Sequence, residues 1–276
     1  MMLRLLTSLN NQRIQRKIAR QELPWQTLKN IERPHDTSQL IPKNIYQTWE
    51  NKLVGKNHFN AIQQFISINN DLSFYYFDKN ERDNYIKEFW GDHDISEIYS
   101  RAKFGQIKAD IFRYCILAER GGYYFDISKG CNAQLSKLHN PNDTALISFE
   151  ANYCGILPEL ERLNYFMHPE RYLLQWGFGF TPHHPFLHRT IDNICKAYPF
   201  FQGKIFSDPK AAIISFSATG MFTKSVREVI KDGFQGSVCQ KGIDFNGQGI
   251  FIMPGSHARY LLVPDYADRR NELIVE

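Results

Sequence analysis

The 276-residue sequence is short of paired cysteines. Cys115, Cys131, Cys154, Cys195 and Cys239 are scattered, odd in number and never in a CxxC arrangement. That excludes a disulfide framework and a zinc knuckle, and it favours a reducing compartment. Long hydrophobic runs are missing too. No apolar stretch approaches the ~18 residues of a membrane-spanning helix. The start, MMLRLLTSLNNQRIQRK, lacks the apolar core and small-residue cleavage site of a signal peptide. Charge of one sign is not in great excess: the net charge is +4, which excludes a dedicated nucleic-acid binder. There is no internal repeat and no low-complexity tract.

Apolar and aromatic residues, in contrast, are plentiful, at 43% and 14% of the chain. A packed core is expected. Arg4, Arg13, Arg16, Lys17 and Arg20 all precede the first acid, Glu22, with leucines and isoleucines between them. This basic stretch reads either as an amphipathic arm for an anionic membrane surface or as a solvated, frayed terminus. Residues 21–40, with Pro24 and Pro34, read as a connector. The expected organisation is therefore an arm and connector over 1–40 and one domain over 41–270.

Alternation of patterns gives the fold class. IPKNIYQTWE (41–50) reads as a buried strand, and NHFNAIQQFISINN as a helix ending at an Asn pair. DLSFYYFDKN is a strand ending at Asp78, and ERDNYIKEFW a helix. AKFGQIKADIFRYCILAERGG puts Phe104, Ile107, Ile111, Cys115 and Ala118 on one helical face, closed by Gly121 and Gly122. YYFDIS follows as a strand and TALISFE as another. WGFGFTPHHPF reads as a shaped loop before a helix, SATGMFTKSVREVI as a loop and helix, and GIFIMPGSHARYLLV as a closing strand. Such alternation predicts an α/β fold with a mostly parallel sheet, whose ligands sit beyond the carboxyl ends of the strands, where Asp78 and Asp126 fall.

Asp110 and Arg113 are three residues apart, opposite the apolar stripe of their predicted helix. If that face meets the end of the GGYYFDIS strand, two acids and a guanidinium converge. Carboxylates accept from sugar hydroxyls and an Arg fork grips phosphate. On spacing alone an ordinary helix ion pair is the favoured reading.

The strings IPKNIYQTW, KADIFRYCILAERGGYYFDIS and the TG of SATGM together resemble the glycosyltransferases of family 32, a group with mannosyltransferases and many bacterial surface-glycan enzymes. The family pattern is roughly I-P-K-x-I-H-Q-x-W, A-x-x-D-x-x-R-Y-x-x-L-x-x-x-G-G-x-Y-x-D-x-D and T-G-P. Asp110, Arg113, Tyr114, Leu117, Gly121, Gly122, Tyr124 and Asp126 fall in register.

The resemblance spans 41 to about 260. It implies a GT-A fold (Rossmann-like, helices on both faces of the sheet) and a retaining transfer of a hexose or N-acetylhexosamine. The donor would be a nucleotide-diphospho-sugar, a UDP-sugar ahead of a GDP-sugar, and the acceptor a glycan or glycolipid. It implies that Asp110, Arg113 and Asp126 are catalytic, and that Gln47, Thr48, Trp49, Tyr124, Asp126 and Ser128 bind the donor, with Trp49 against its base. Gly179, His184, Thr219, Gly220 and His257 are the expected acceptor or diphosphate positions. His183 and His184 fit a helix start equally well, and the Thr219–Gly220 turn reads as support.

Two departures stand out. Tyr46 replaces the family's His, and Ser128 replaces its second acid. Asp126 and Ser128 would be the grip for Mn²⁺ or Mg²⁺, but a serine removes one negative charge from a site that prefers carboxylates. Lys129, Arg113 and His257 are candidate cations to compensate. The expected setting is the cytoplasm, peripheral to the inner face of the plasma membrane, in bacterial capsule or lipooligosaccharide synthesis. The rival is a catalytically silent nucleotide-sugar or glycan-binding protein on the same fold.

Overall fold

The computed structural model describes residues 17, 20–34, 36–155, 164–245, 250–261 and 269–276. Most of the basic arm, residues 1–16, 18 and 19, lies outside them. Seven strands form the central sheet: β1 (Asn44–Thr48), β2 (Ser73–Phe77), β3 (Gly122–Phe125), β4 (Ala145–Tyr153), β5 (Arg171–Leu173), β6 (Gly177–Phe180) and β7 (Val238–Ile243). The order is β7-β4-β6-β3-β1-β2, with β5 on β4. β1 is parallel to β2 and β3, and β4 is parallel to β7. β6 runs antiparallel between β3 and β4, and β5 antiparallel to β4. Five strands thus share one direction, and the carboxyl ends of β1, β2 and β3 lie on one rim.

Side-chain alternation along the strands builds a core on each face. Tyr46, Tyr124, Phe178 and Phe180 point into one cluster, and Ile45, Tyr123, Phe125 and Leu146 into the other. Helix α1 (Lys56–Ile68) covers the second face with Ala61, Ile62, Phe65 and Ile66. The first face carries α2 (Lys79–Trp90), α3 (Asp94–Arg101), α4 (Gly105–Arg120), α5 (Pro185–Phe201), α6 (Pro209–Phe216) and α7 (Thr219–Lys231). This is the α/β fold with a mostly parallel sheet that the alternating pattern predicts, in the single-domain form with helices on both faces that the resemblance implies. Among the described residues no helix is long and apolar enough to cross a membrane.

Several local readings are corrected. WGFGFTPHHPF is not only a loop before a helix: its Gly177–Phe180 portion is a strand, β6, in the middle of the sheet. Its glycines are required by neighbours: a Cβ on Gly179 would lie 2.6 Å from the Tyr123 ring. Asp78 is the N-cap of α2 in a capping box with Glu81, so its carboxylate serves the helix and not a ligand. The connector is not loose, because Gln26–Thr27 pairs with Leu53–Val54, Ile31 bridges Phe74, and Leu28 is buried. The fold also runs past 270: Glu272–Leu273 pairs with Ile205–Phe206, and Ile274 and Val275 are buried.

Candidate active site

Between β3 and α4, Gly121 and Gly122 have φ of 61° and 102°, and a Cβ on Gly122 would meet the Asn44 carbonyl at 2.5 Å. Only glycine makes this reversal at such close approach. The double glycine returns the chain so that β3 lies against β1, and Asp126 emerges at the carboxyl rim.

There a cavity of about 750 Å³ is lined by both ends of the constellation: Thr48, Trp49, Asp110, Arg113, Tyr124, Asp126 and Ser128. Asp110 and Arg113 do not face solvent opposite the apolar stripe. Both are buried, because α4 is covered on all sides from Asp110 to Ala118. Arg113 Nη2 lies 3.2 Å from Asp110 Oδ1 and 3.1 Å from Asp126 Oδ1. Its Nη1 donates to the Gln175 carbonyl at 3.0 Å, and the guanidinium stacks 4.5 Å from the Tyr124 ring. Asp110 accepts from Gln175 Nε2 at 2.7 Å and from Ser217 Oγ at 2.8 Å.

Burial pushes the Asp110 carboxyl up, against the pull of Arg113, Gln175 and Ser217. Burial would lower Arg113, yet Tyr124, Asp126 and Asp110 hold it above its ordinary value. Asp126, with 36% of its side chain exposed, also accepts from Tyr124 Oη at 3.1 Å. It is the more exposed acid of the three-residue junction.

Gln47 donates to the Asp126 carbonyl at 3.3 Å, so it braces the motif from behind. Thr48 Oγ1 accepts from Arg82 Nη1 at 3.2 Å while donating to the Phe77 carbonyl. Trp49 stands at the cavity wall with its ring edge-on to Tyr260 and its buried Nε1 without a partner. Ser128 lies beside Asp126, and its carbonyl accepts from Met253 N at 2.8 Å.

The remaining sequence candidates fall elsewhere. Gly179 and His184 sit at or toward the amino end of the parallel strands, away from the cavity; His184 is the buried N-cap of α5, packed on Phe180, Phe186 and Phe234. Thr219 Oγ1 donates to the Leu173 carbonyl at 2.6 Å and Gly220 packs on Ile214, so both support the wall through neighbouring Ala218. His257 is exposed and does not line the cavity. Lys129 stacks over Trp176 at 4.4 Å, outside the lining. Tyr46, the His replacement, is a core residue stacked on Tyr75.

Sequence reasoning missed Gln175 and Ser217, which hold Asp110 from distant elements, and Arg259, two residues past His257. It also missed His58, fully buried on α1, whose Nε2 is 2.8 Å from the carbonyl of Ile127, between Asp126 and Ser128. Burial lowers the His58 pKa to about 4, so the neutral ring donates from Nε2 and fixes the loop. No motif spacing signals these contacts.

The metal expectation meets a poor donor set. The Oδ1 atom of Asp126 is already engaged by Arg113 and Tyr124. Among the described residues no group of three His, Cys, Asp or Glu could hold a metal ion. A divalent cation at Asp126 would face the Arg113 guanidinium with one carboxylate and one hydroxyl for company, so these residues do not fit it.

Residues 43–145 match the family profile described as the glycosyltransferase sugar-binding region containing the DXD motif. Among curated proteins, an initiation-specific alpha-1,6-mannosyltransferase of Candida albicans is 34% identical over 113 residues, 39% of this chain and 28% of the relative. The inositol phosphoceramide mannosyltransferase 2 of Schizosaccharomyces pombe is 29% identical over 99 residues, 36% of this chain and 28% of the relative. The chain thus matches only about a quarter of these relatives' length. Among solved structures, the PaToxG glycosyltransferase superposes with a TM-score of 0.48 and 14% identity, over 82% of this chain and 76% of that one. Trp49, Asp110, Arg113, Tyr124, Asp126 and Ser128 all fall inside the matched segment, so the residues that meet at the cavity are those of a sequence region similar to glycosyltransferase sugar-binding regions.

Proposed function

We propose that this protein is a glycosyltransferase that moves a hexosyl group from a nucleotide-diphospho-sugar to a hydroxyl of a glycan or glycolipid. The observation that carries the reading is the buried Asp110–Arg113–Asp126 junction opening into a cavity large enough for such a donor. The names of the matched relatives make mannose the first sugar to try, and an inositol phosphoceramide the first lipid acceptor.

Asp110 accepts from hydroxyls of the donor sugar, its carboxylate oriented by Gln175 and Ser217 rather than by solvent. Arg113 pairs with both Asp110 and Asp126 and holds them aimed at the cavity. Asp126 meets the ribose side of the donor, and Trp49 lies against the base. The sugar C1–oxygen bond to the diphosphate breaks, the acceptor oxygen bonds C1, and the acceptor's proton passes to the departing phosphate on the same face. Retention follows from that same-face route. Electrostatic stabilisation of the departing diphosphate is the main catalytic task.

The test is turnover with a panel of UDP- and GDP-sugars, mannose included, and glycan and inositol-phosphoceramide acceptors. Transfer from one donor supports the reading. Nucleotide binding without transfer or donor hydrolysis across the panel would replace it with the binding-protein alternative that Ser128 motivates. Placement at a membrane rests on the basic composition of residues 1–20; retention of the full chain on anionic vesicles, lost on deleting those residues, tests it.

A further inference from the structure

Among the described residues, five cationic side chains line the cavity: Arg82, Lys103, Arg113, Arg259 and Arg269. Four face carboxylates. Arg82 pairs with Glu50, Lys103 with Glu276, Arg113 with Asp110 and Asp126, and Arg269 with Glu272. Among the described residues Arg259 has no carboxylate partner, although only 9% of it is exposed. Its guanidinium lies 4.8 Å from the Trp49 ring and 4.3 Å from the Tyr260 ring. Nη1 donates to the Ser256 carbonyl, Nη2 to Tyr260 Oη at 2.8 Å, and Nε has no partner. Aromatic faces offset part of the cost of burying this charge, but a buried cation without a counter-ion is an unfinished pair.

The residues of the acidic motif line the same cavity as Arg259. Asp126 is neutralised by Arg113, and Ser128 stands where a second acid would hold a metal. The segment carrying Arg259 is fastened to that motif: Ile250–Ile252 pairs antiparallel with Lys129–Cys131, and Met253 N donates to the Ser128 carbonyl at 2.8 Å.

We propose that Arg259 binds the donor's diphosphate in place of a divalent cation, so that this chain grips a nucleoside diphosphate without metal. A guanidinium presents several N–H groups in a plane suited to phosphate oxygens, and it carries its charge at any working pH. The loss of one acid at Ser128 and the unpaired cation at Arg259 are then two halves of one exchange. The inference rests on the transferase reading and names how its leaving group is held.

The experiment is calorimetric titration of the full chain with UDP, UMP, GDP and GMP, in chelator and then with Mn²⁺, for wild type, Arg259→Gln and Arg259→Lys. In chelator, wild type should bind one diphosphate about ten- to hundred-fold more tightly than its monophosphate, and Mn²⁺ should add little. Arg259→Gln should bring that ratio near one with monophosphate affinity unchanged, and Arg259→Lys should keep part of it. A preference that appears only with Mn²⁺, or that survives Arg259→Gln, overturns the proposal. Should Arg259→Gln fail to fold, the chelator arm on wild type still decides. Monophosphate binding with no diphosphate preference sinks this proposal alone, whereas no binding of any nucleotide sinks the transferase reading with it.

Discussion

The two ends of the central sheet make opposite use of burial. At the carboxyl rim, Asp110 and Arg113 are buried as charges, each satisfied by partners from other elements. At the amino rim, His184 is buried as a neutral ring: desolvation lowers its pKa to about 3, its Nδ1 accepts from Phe186 N, and aromatic rings enclose it. A second cavity of about 440 Å³ sits at that end beside His183, His188 and Trp90. Both ends hold polar side chains and a concavity. The charged groups beside the second cavity, Lys87, Glu88, Asp92 and Glu119, are exposed or half-buried, whereas at the carboxyl rim the buried Asp110 and Arg113 converge with Asp126 on a shared space, the arrangement that binds and polarises a charged ligand.

The sharpest way to break this contrast is to remove the charge that unites the carboxyl rim. Arg113→Met strands Asp110 as a buried, uncompensated carboxylate. We expect a loss of about 3–5 kcal/mol in unfolding stability, read by urea denaturation, together with loss of turnover. Asp110→Asn keeps the shape but removes the charge and puts an amide donor where one carboxylate oxygen accepts from Ser217, or from Gln175 and Arg113. Turnover should fall about a hundredfold, equivalent to about 2.7 kcal/mol at the transition state, with nucleotide affinity nearly unchanged; normal turnover would remove Asp110 from its role.

At the other end, His184→Ala should cost about 2 kcal/mol of stability from the lost cap and ring packing. Its nucleotide affinity should match wild type, and a weakened affinity would mean the two ends are coupled. Acid sensitivity is a further effect. His58 and His184 fall from 6.5 to about 4 and about 3 on folding. The unfolded chain therefore binds more protons below pH 6.5, so the stability these rings contribute is present above that pH and is lost as pH falls toward 4 and 3. Urea midpoints at pH 7, 5 and 4 should decline in step, and His184→Asn, which keeps an acceptor at the helix start, should flatten the decline.

Much of the carboxyl rim was legible because its residues are local in sequence. The helix period placed Asp110 beside Arg113, and the double glycine with a short strand placed Asp126 at a strand end. The amino rim was misread for the same reason. A Gly-Phe-Gly-Phe string looks like a loop unless the neighbouring rings of Phe125 and Tyr123, which lie where a Cβ on Gly177 and on Gly179 would go, are known. A His pair before Pro reads as acceptor chemistry or as a cap, and only the enclosing rings decide for the cap at His184.

The sequence by itself determined the α/β alternation, the Asp110–Arg113 spacing, the strand-end acid and the substitution at Ser128, because each is set by backbone period, glycine conformation or residue identity. The tertiary structure alone decided that Gln175 and Ser217 hold Asp110, that His58 fixes the Asp126 loop, and that Arg259 reaches the same cavity. Those contacts join residues tens to more than a hundred positions apart, and nothing in the local pattern of the chain records which distant side chain folding will bring into a buried polar site.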